Sequence, residues 1–298
     1  MTEAEKLLKE YLDYLEVERN RLPKTRENYE RYLNYFVVQQ KIAKLAQITE
    51  EAIRDFRLAL ARKDLKKNTQ SYYVIAIRNF LKYLTKKGYK TVPPETIELP
   101  KLPTRQIDIL DYKELERLLL VPTGNDARSL RDRAILETLF STGLRLSELC
   151  GLKRYLDIAK GEITVRGKGE KLRIVFLSNG AKAALKQYLD KRADTLENLF
   201  VSFTKSREKP AVIGPITPRA VQRLLDYYAR KAGIVKRVHP HMIRHAFATD
   251  LLMNGADLRS VQELLGHSNV STTQIYTHIT NRQLKEIHKA FHARRRDA

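Results

Sequence analysis

In the first ninety positions, apolar residues recur three and four apart, the period of an amphipathic helix. Leu7, Leu8, Tyr11, Leu12, Tyr14 and Leu15 mark one stripe within residues 2–18. Tyr29, Tyr32, Leu33 and Phe36 mark a second, with Thr25 as its predicted cap. Ile53, Phe56 and Leu60 mark a third, opened by Thr49 and two glutamates that suit a helix N-terminus. A fourth is predicted to start at Asn68 and Thr69, run to Leu84 and stop at Gly88. No strand-like alternation occurs before residue 92, so residues 1–91 read as an all-α bundle of four helices.

Residues 92–106 change character. Pro93, Pro94, Pro100 and Pro103 fall close together, and proline neither continues a helix nor lets its predecessor do so. An extended interdomain linker is expected there. Beyond it the patterns mix. Helices are predicted at 112–120 with Asp111 as cap, 128–141, 146–152, 180–192, 217–232, 241–253, 258–265, 272–278 and 281–293. Glu162–Arg166 and Lys171–Leu177 alternate around a glycine-rich turn and read as an antiparallel hairpin. Leu199–Val201 is a further strand candidate. The predicted fold is mainly α with a small antiparallel β-sheet in a C-terminal domain spanning 107–298.

Composition narrows the class. The 298 residues suit two domains, and a hydrophobic share of 43% supports real cores. The longest apolar run, Tyr72–Ile77, is far short of a membrane helix, and the acidic N-terminus is not a secretory signal. Cys150 is the single cysteine, so no internal disulfide forms. The expectation is a soluble, cytoplasmic protein with no membrane partner. Its 56 Lys+Arg against 35 Asp+Glu leave a net charge of +21. Residues 1–106 carry 22 basic against 14 acidic side chains, and residues 107–298 carry 34 against 21. A thermophile's surface enrichment adds both signs together and does not account for this excess. An excess spread over both halves points to a body that embraces nucleic acid.

Four segments carry candidate chemistry. In His241-Met-Ile-Arg244-His245, spacings of three and four put both histidines and the arginine on one helical face just after Pro240. Such a set at a helix N-terminus can hold a phosphate, although a surface cluster or core histidines give the same pattern. In Ser141-Thr-Gly143-Leu-Arg145-Leu-Ser-Glu148, Gly143 ends one helix and Arg145 opens the next. Glu148 lies one turn on, where it can orient Arg145 or form a plain i,i+3 pair worth a few tenths of a kcal/mol. Lys168 sits between Gly167 and Gly169 at the hairpin turn, able to contact phosphate or donate a proton. Gly266 is a helix stop, followed by His267 and, on a short helix, Tyr276.

The order Arg145, Lys168, His241-x-x-Arg244, Gly266-His267, Tyr276 resembles the tyrosine recombinase (phage integrase) family, most closely its Xer-type branch. The matching stretches are TGLRLSEL, RGKGEKLR, HPHMIRHAFAT and LLGHSNVSTTQIYTH. Thr25, Tyr29, Leu33 and Phe36 are similar to the start of the family's SAM-like helical core-binding domain, so the likeness spans nearly the whole chain. The resemblance implies site-specific DNA strand exchange in which Tyr276 attacks a scissile phosphate and forms a 3′-phosphotyrosyl link. It implies that Arg145, Arg244, His241 and His267 stabilise the charged transition state, that Lys168 protonates the leaving 5′-oxygen, and that Glu148 supports Arg145. No metal or nucleotide cofactor is implied, because cations replace a metal and the covalent link conserves the bond energy. It further implies a homo- or hetero-tetramer, with a second recombinase, on two double-stranded DNA sites. A tail helix over about 281–296 would dock on a neighbouring subunit, and an FtsK-type DNA translocase is a possible partner. Arg78 and Lys82 are candidate DNA contacts. The stretch Leu152–Asp157 departs from the branch, which is more acidic there. A mobile-element integrase, a topoisomerase-like relaxing enzyme and a DNA-binding protein that does not cut are the alternative readings.

Overall fold

In a computed structural model the protein is described over residues 1–100, 109–167, 171–204, 206 and 211–266. The chain divides into two compact units, Met1–Arg105 and Gln106–Ala298. Among the described residues, no helix is long and apolar enough to cross a membrane.

The first unit holds helices α1 (Glu3–Val17), α2 (Pro23–Gln39), α3 (Glu50–Ala61) and α4 (Lys67–Lys86). Thr2 and Glu5 form a reciprocal capping box that starts α1. The second and fourth helices begin earlier than the sequence suggested. Pro23 opens α2, with Leu22 as cap, so Thr25 lies inside the first turn. A proline there has the helical φ already and lacks only an N–H that no carbonyl would accept. Likewise α4 starts after Lys66, and Asn68 and Thr69 are its second and third residues, not caps. The expected stripes meet in one core: Leu7, Leu8, Tyr11, Leu33, Phe36, Ile53, Phe56, Leu60, Phe80 and Leu84 are all buried. The proline-rich stretch is not a free strap along its whole length. A short 3-10 turn at Pro94–Thr96 lets Pro94 and Ile97 bury themselves on this unit.

The second unit is built around α6 (Ala127–Thr142), buried on most of its sides. The unit also holds α5 (Tyr112–Leu120), α7 (Leu146–Gly151), α8 (Asn179–Asp190), α9 (Pro218–Lys231), α10 (Pro240–Met253) and α11 (Leu258–Leu265), with α5, α8 and α10 packed on α6 and α11 on α10. The expected hairpin forms from β1 (Glu162–Arg166) and β2 (Leu172–Phe176), paired antiparallel from Glu162 opposite Phe176 to Arg166 opposite Leu172. Ile163, Val165 and Val175 turn inward. A second pair, β3 (Val201–Phe203) with β4 (Val212–Pro215), was only half anticipated, through Leu199–Val201. A pleated strand of three residues shows too little alternation to read. The charged interior of α6 is self-satisfied. Arg131 Nη1 donates to the Val201 carbonyl at 2.9 Å, its Nε to Asp132 at 2.8 Å, and the Tyr228 hydroxyl to Asp132 at 3.1 Å. The predicted helices at 272–278 and 281–293 lie outside the described residues.

Candidate active site

The turn between α6 and α7 sets the first arginine. Gly143 has a φ of +58°, and a Cβ there would stand 2.5 Å from the Phe247 ring. Left-handed backbone and close approach both require glycine. Two residues on, Arg145 is the N-cap of α7. The Glu148 carboxylate accepts the Arg145 backbone N–H at 2.8 Å and its Nη1–H at 3.0 Å. This is more than a surface i,i+3 pair, because the Glu148 side chain is only 6% exposed. It also takes both terminal nitrogens of Arg173, at 2.9 and 2.6 Å. One buried carboxylate therefore holds two guanidinium groups.

The second arginine arrives on α10. His239 caps that helix, Pro240 is its first residue, and His241 follows in the first turn. One turn later Arg244 points into the protein and is 5% exposed. Its Nη1 donates to the Gly143 carbonyl at 2.5 Å and its Nη2 to the Leu265 carbonyl. The carbonyl just before that one, Leu264, accepts from Arg173 Nε at 3.0 Å, and the one just after, Gly266, from Arg145 Nη2 at 3.0 Å. Three arginines from three separate elements thus bind three successive carbonyls at the C-terminus of α11. The C-terminal end of a helix carries the negative end of its dipole, so cations suit these carbonyls. Gly266, with a φ of +62°, ends the helix as the sequence suggested.

Charge and solvation fit phosphate chemistry. A cleft of about 840 Å³ opens beside these groups, lined by Arg145, Gly167, Lys171, Arg173, Arg259 and Gly266 among others. Burial alone would lift the Glu148 carboxyl. Hydrogen bonds from Arg173 and the Arg145 backbone outweigh it, holding Glu148 below the usual carboxylate range and so ionised. His241 is exposed in the first turn of α10. The desolvation that its ring does suffer, then the positive neighbours His239, Arg244 and Arg145, lower its pKa. A neutral imidazole is a proton acceptor. His245 is half-buried and is pushed down to about 4 by burial, His241, Arg244 and His239.

Of the expected residues, the structure brings Arg145, Glu148 and Arg244 together, with His241 on the helix that carries Arg244. Lys168, His267 and Tyr276 lie outside the described residues; Gly167 and Gly266, which precede Lys168 and His267, both line the cleft. On α4 of the first unit, Arg78 is half-buried with an Nε that has no partner among the described residues, and Lys82 is exposed. Sequence reasoning missed Arg173. Its signal was the register of β2, which puts Arg173 in phase with buried Val175 and leaves Leu172, Ile174 and Phe176 outside. A charge on the inward face demands a carboxylate partner.

Arginines at a helix C-terminus, a histidine beside them and a basic cleft suit an anionic group such as a phosphodiester. Sequence comparison identifies the lineage. Residues 108–283 match the phage integrase family and residues 8–88 match the phage integrase N-terminal SAM-like domain; the chain belongs to the phage integrase family. The tyrosine recombinase XerC of Halalkalibacterium halodurans is 36% identical over 295 residues, covering 95% of this chain and 96% of that protein. A crystal structure of XerA recombinase is 32% identical, with a TM-score of 0.52, covering 97% of this chain and 99% of that one. XerH recombinase bound to its difH substrate, in a pre-cleavage complex, is 27% identical with a TM-score of 0.67, covering 90% and 79%. The protein is a site-specific DNA recombinase of the Xer-like kind, with the mainly α fold and N-terminal helical bundle that the pattern predicted.

Proposed function

We propose that Tyr276 is the nucleophile of this recombinase, cutting double-stranded DNA through a 3′-phosphotyrosyl intermediate. The tyrosine oxygen bonds to phosphorus as the bond to the 5′-oxygen breaks. His241 accepts the tyrosine proton and Lys168 supplies one to the leaving oxygen. Arg145 and Arg244 neutralise the non-bridging oxygens, His267 donates a further hydrogen bond, and Glu148 orients Arg145. The observation that carries this reading is the convergence of Arg145 and Arg244 on consecutive carbonyls, Leu265 and Gly266, next to His267 in the chain. The chain's own cations supply the electrostatic stabilisation, and the covalent link conserves the bond energy.

The first unit is the core-binding domain in this reading, gripping DNA phosphates with Arg78 and Lys82 on α4 while the second unit cuts. Two sites bound by four subunits would permit strand exchange, alone or with a second recombinase. Xer-like relatives favour resolution of chromosome dimers, with an FtsK-type translocase as a partner, over a mobile-element role. That XerH was solved on difH DNA supports duplex DNA as the substrate.

Covalent trapping tests the reading. Wild type and Tyr276→Phe are mixed with a library of nicked suicide duplexes, denatured in SDS and examined for protein–DNA adducts. An adduct that vanishes in the variant is expected, and sequencing the trapped DNA identifies the site. An adduct that survives Tyr276→Phe would overturn the assignment of the nucleophile.

A further inference from the structure

Arg173 has no role in the mechanism above, yet it is tightly held beside the cleft. Its side chain is 8% exposed. Two of its nitrogens grip Glu148, and the third donates to the Leu264 carbonyl. Glycines lie against both ends of it. A Cβ at Gly167 would stand 3.0 Å from its Nη1, and one at Gly266 would stand 3.1 Å from its Cδ. Gly167 precedes Lys168, Gly266 precedes His267, and Glu148 holds Arg145. Two candidate groups of the reaction therefore directly follow glycines packed against Arg173, and a third shares its carboxylate.

We propose that Arg173 is a positioning residue for the strand-cleavage reaction, locking the base of the Lys168 turn to Arg145 through Glu148. The inference rests on the reading that Lys168 is the general acid. The physical argument is rigidity. A hairpin tip has one covalent neighbour on each side and pivots on its strands. A planar fork bonded at three corners, and covered by backbone that has no Cβ, removes that pivot. Lysine cannot substitute, because a single ammonium reaches one of these corners at a time. The bidentate geometry toward Glu148 also keeps Arg145 from relaxing onto a carboxylate that has been left half-paired.

The test uses the full chain, Tyr276→Phe as a blank, and a nicked duplex recovered by wild-type trapping. Single-turnover adduct formation is measured for wild type, Arg173→Gln and Arg173→Lys. Each is run on the ordinary phosphodiester and on the same duplex with sulfur as the 5′-bridging atom. In the second substrate the tyrosine O–P bond forms as the P–S bond breaks, and the thiolate leaves without taking a proton. A general acid is then superfluous. Arg173→Gln is expected to cleave the ordinary duplex about 100-fold more slowly than wild type, with DNA affinity little changed, as a misplaced group commonly costs that much. On the sulfur duplex the deficit should shrink to about tenfold or less, the residue reflecting Arg145. Arg173→Lys, which keeps the charge near Glu148, should melt close to wild type and still show the sulfur-dependent rescue, so the test survives a Gln variant that folds poorly. Equal losses on both duplexes would overturn the inference and make Arg173 a fold residue. So would cleavage by Arg173→Lys within threefold of wild type on the ordinary duplex. Failure of wild type to give any Tyr276-dependent adduct would overturn the underlying reading, and this inference with it.

Discussion

The Glu148 carboxylate lies 2.6 Å from Arg173 Nη2 and accepts a second bond from the same guanidinium at 2.9 Å. Because the same carboxylate holds Arg145, it is a shared anchor for two cations that line the cleft. Removing it leaves two cations desolvated without their partner. Glu148→Ala is expected to destabilise the second unit by about 3 kcal/mol, in the range for a broken buried pair. Glu148→Gln, which preserves shape and one acceptor, should cost less. Chemical denaturation of both variants checks this ordering, and equal stability of the two would refute it.

The histidines make stability pH-dependent in a definite direction. His245 titrates near 4 in the folded protein and at the ordinary 6.5 unfolded. The folded state therefore binds the proton less readily, so stability rises with pH. Its contribution is fully present above about 6.5 and is lost progressively as pH falls toward 4. Melting temperatures measured from pH 7 down to pH 4.5 should fall, and fall less steeply in His245→Gln. A variant whose curve parallels wild type would show that other groups govern the acid limb.

Gly143 is both a turn and a spacer. Alanine there must hold a φ of +58° and push aside the Phe247 ring, only 2.5 Å from its Cβ. Left-handed strain by itself costs about 1–3 kcal/mol, and displacing a packed ring adds to it. Gly143→Ala should therefore lower the melting temperature more than Gly88→Ala, where nothing lies within 4 Å of the new Cβ despite a φ of +84°. Because the Gly143 carbonyl also receives Arg244, cleavage should fall more than stability alone explains.

DNA affinity should fall steeply as salt rises, since cations that neutralise phosphates release counterions. If Lys82 contacts a phosphate, Lys82→Ala lowers the slope of log affinity against log salt by about one and weakens binding uniformly across sequences. Titrations at several salt concentrations with matched and scrambled duplexes measure both. An unchanged slope would place Lys82 off the DNA.

The helical first unit was open to reading from the pattern alone, because Leu7, Tyr11, Leu33, Phe36, Ile53, Phe56 and Phe80 must all leave water and their spacing says which face they share. Turn chemistry was nearly as plain: Gly143 and Gly266 end helices because left-handed backbone favours glycine. Helix starts were less legible. Pro23 competes with Thr25 as a start signal, and one residue type does not outrank the other without neighbours. The order of the arginines, histidines and tyrosine along the chain pointed to the recombinase family. Tertiary structure alone decided which of them meet. Arg145, Arg173 and Arg244 are separated by 28 and 71 positions in sequence, yet they bind Gly266, Leu264 and Leu265 in one helix end. Periodicity reports which way a side chain faces relative to its own element. It carries no information on which carbonyl or carboxylate another element will bring to meet it. That pairing is set by packing across the core, and so the partner of Glu148 proved to be a strand residue as much as its own helix cap.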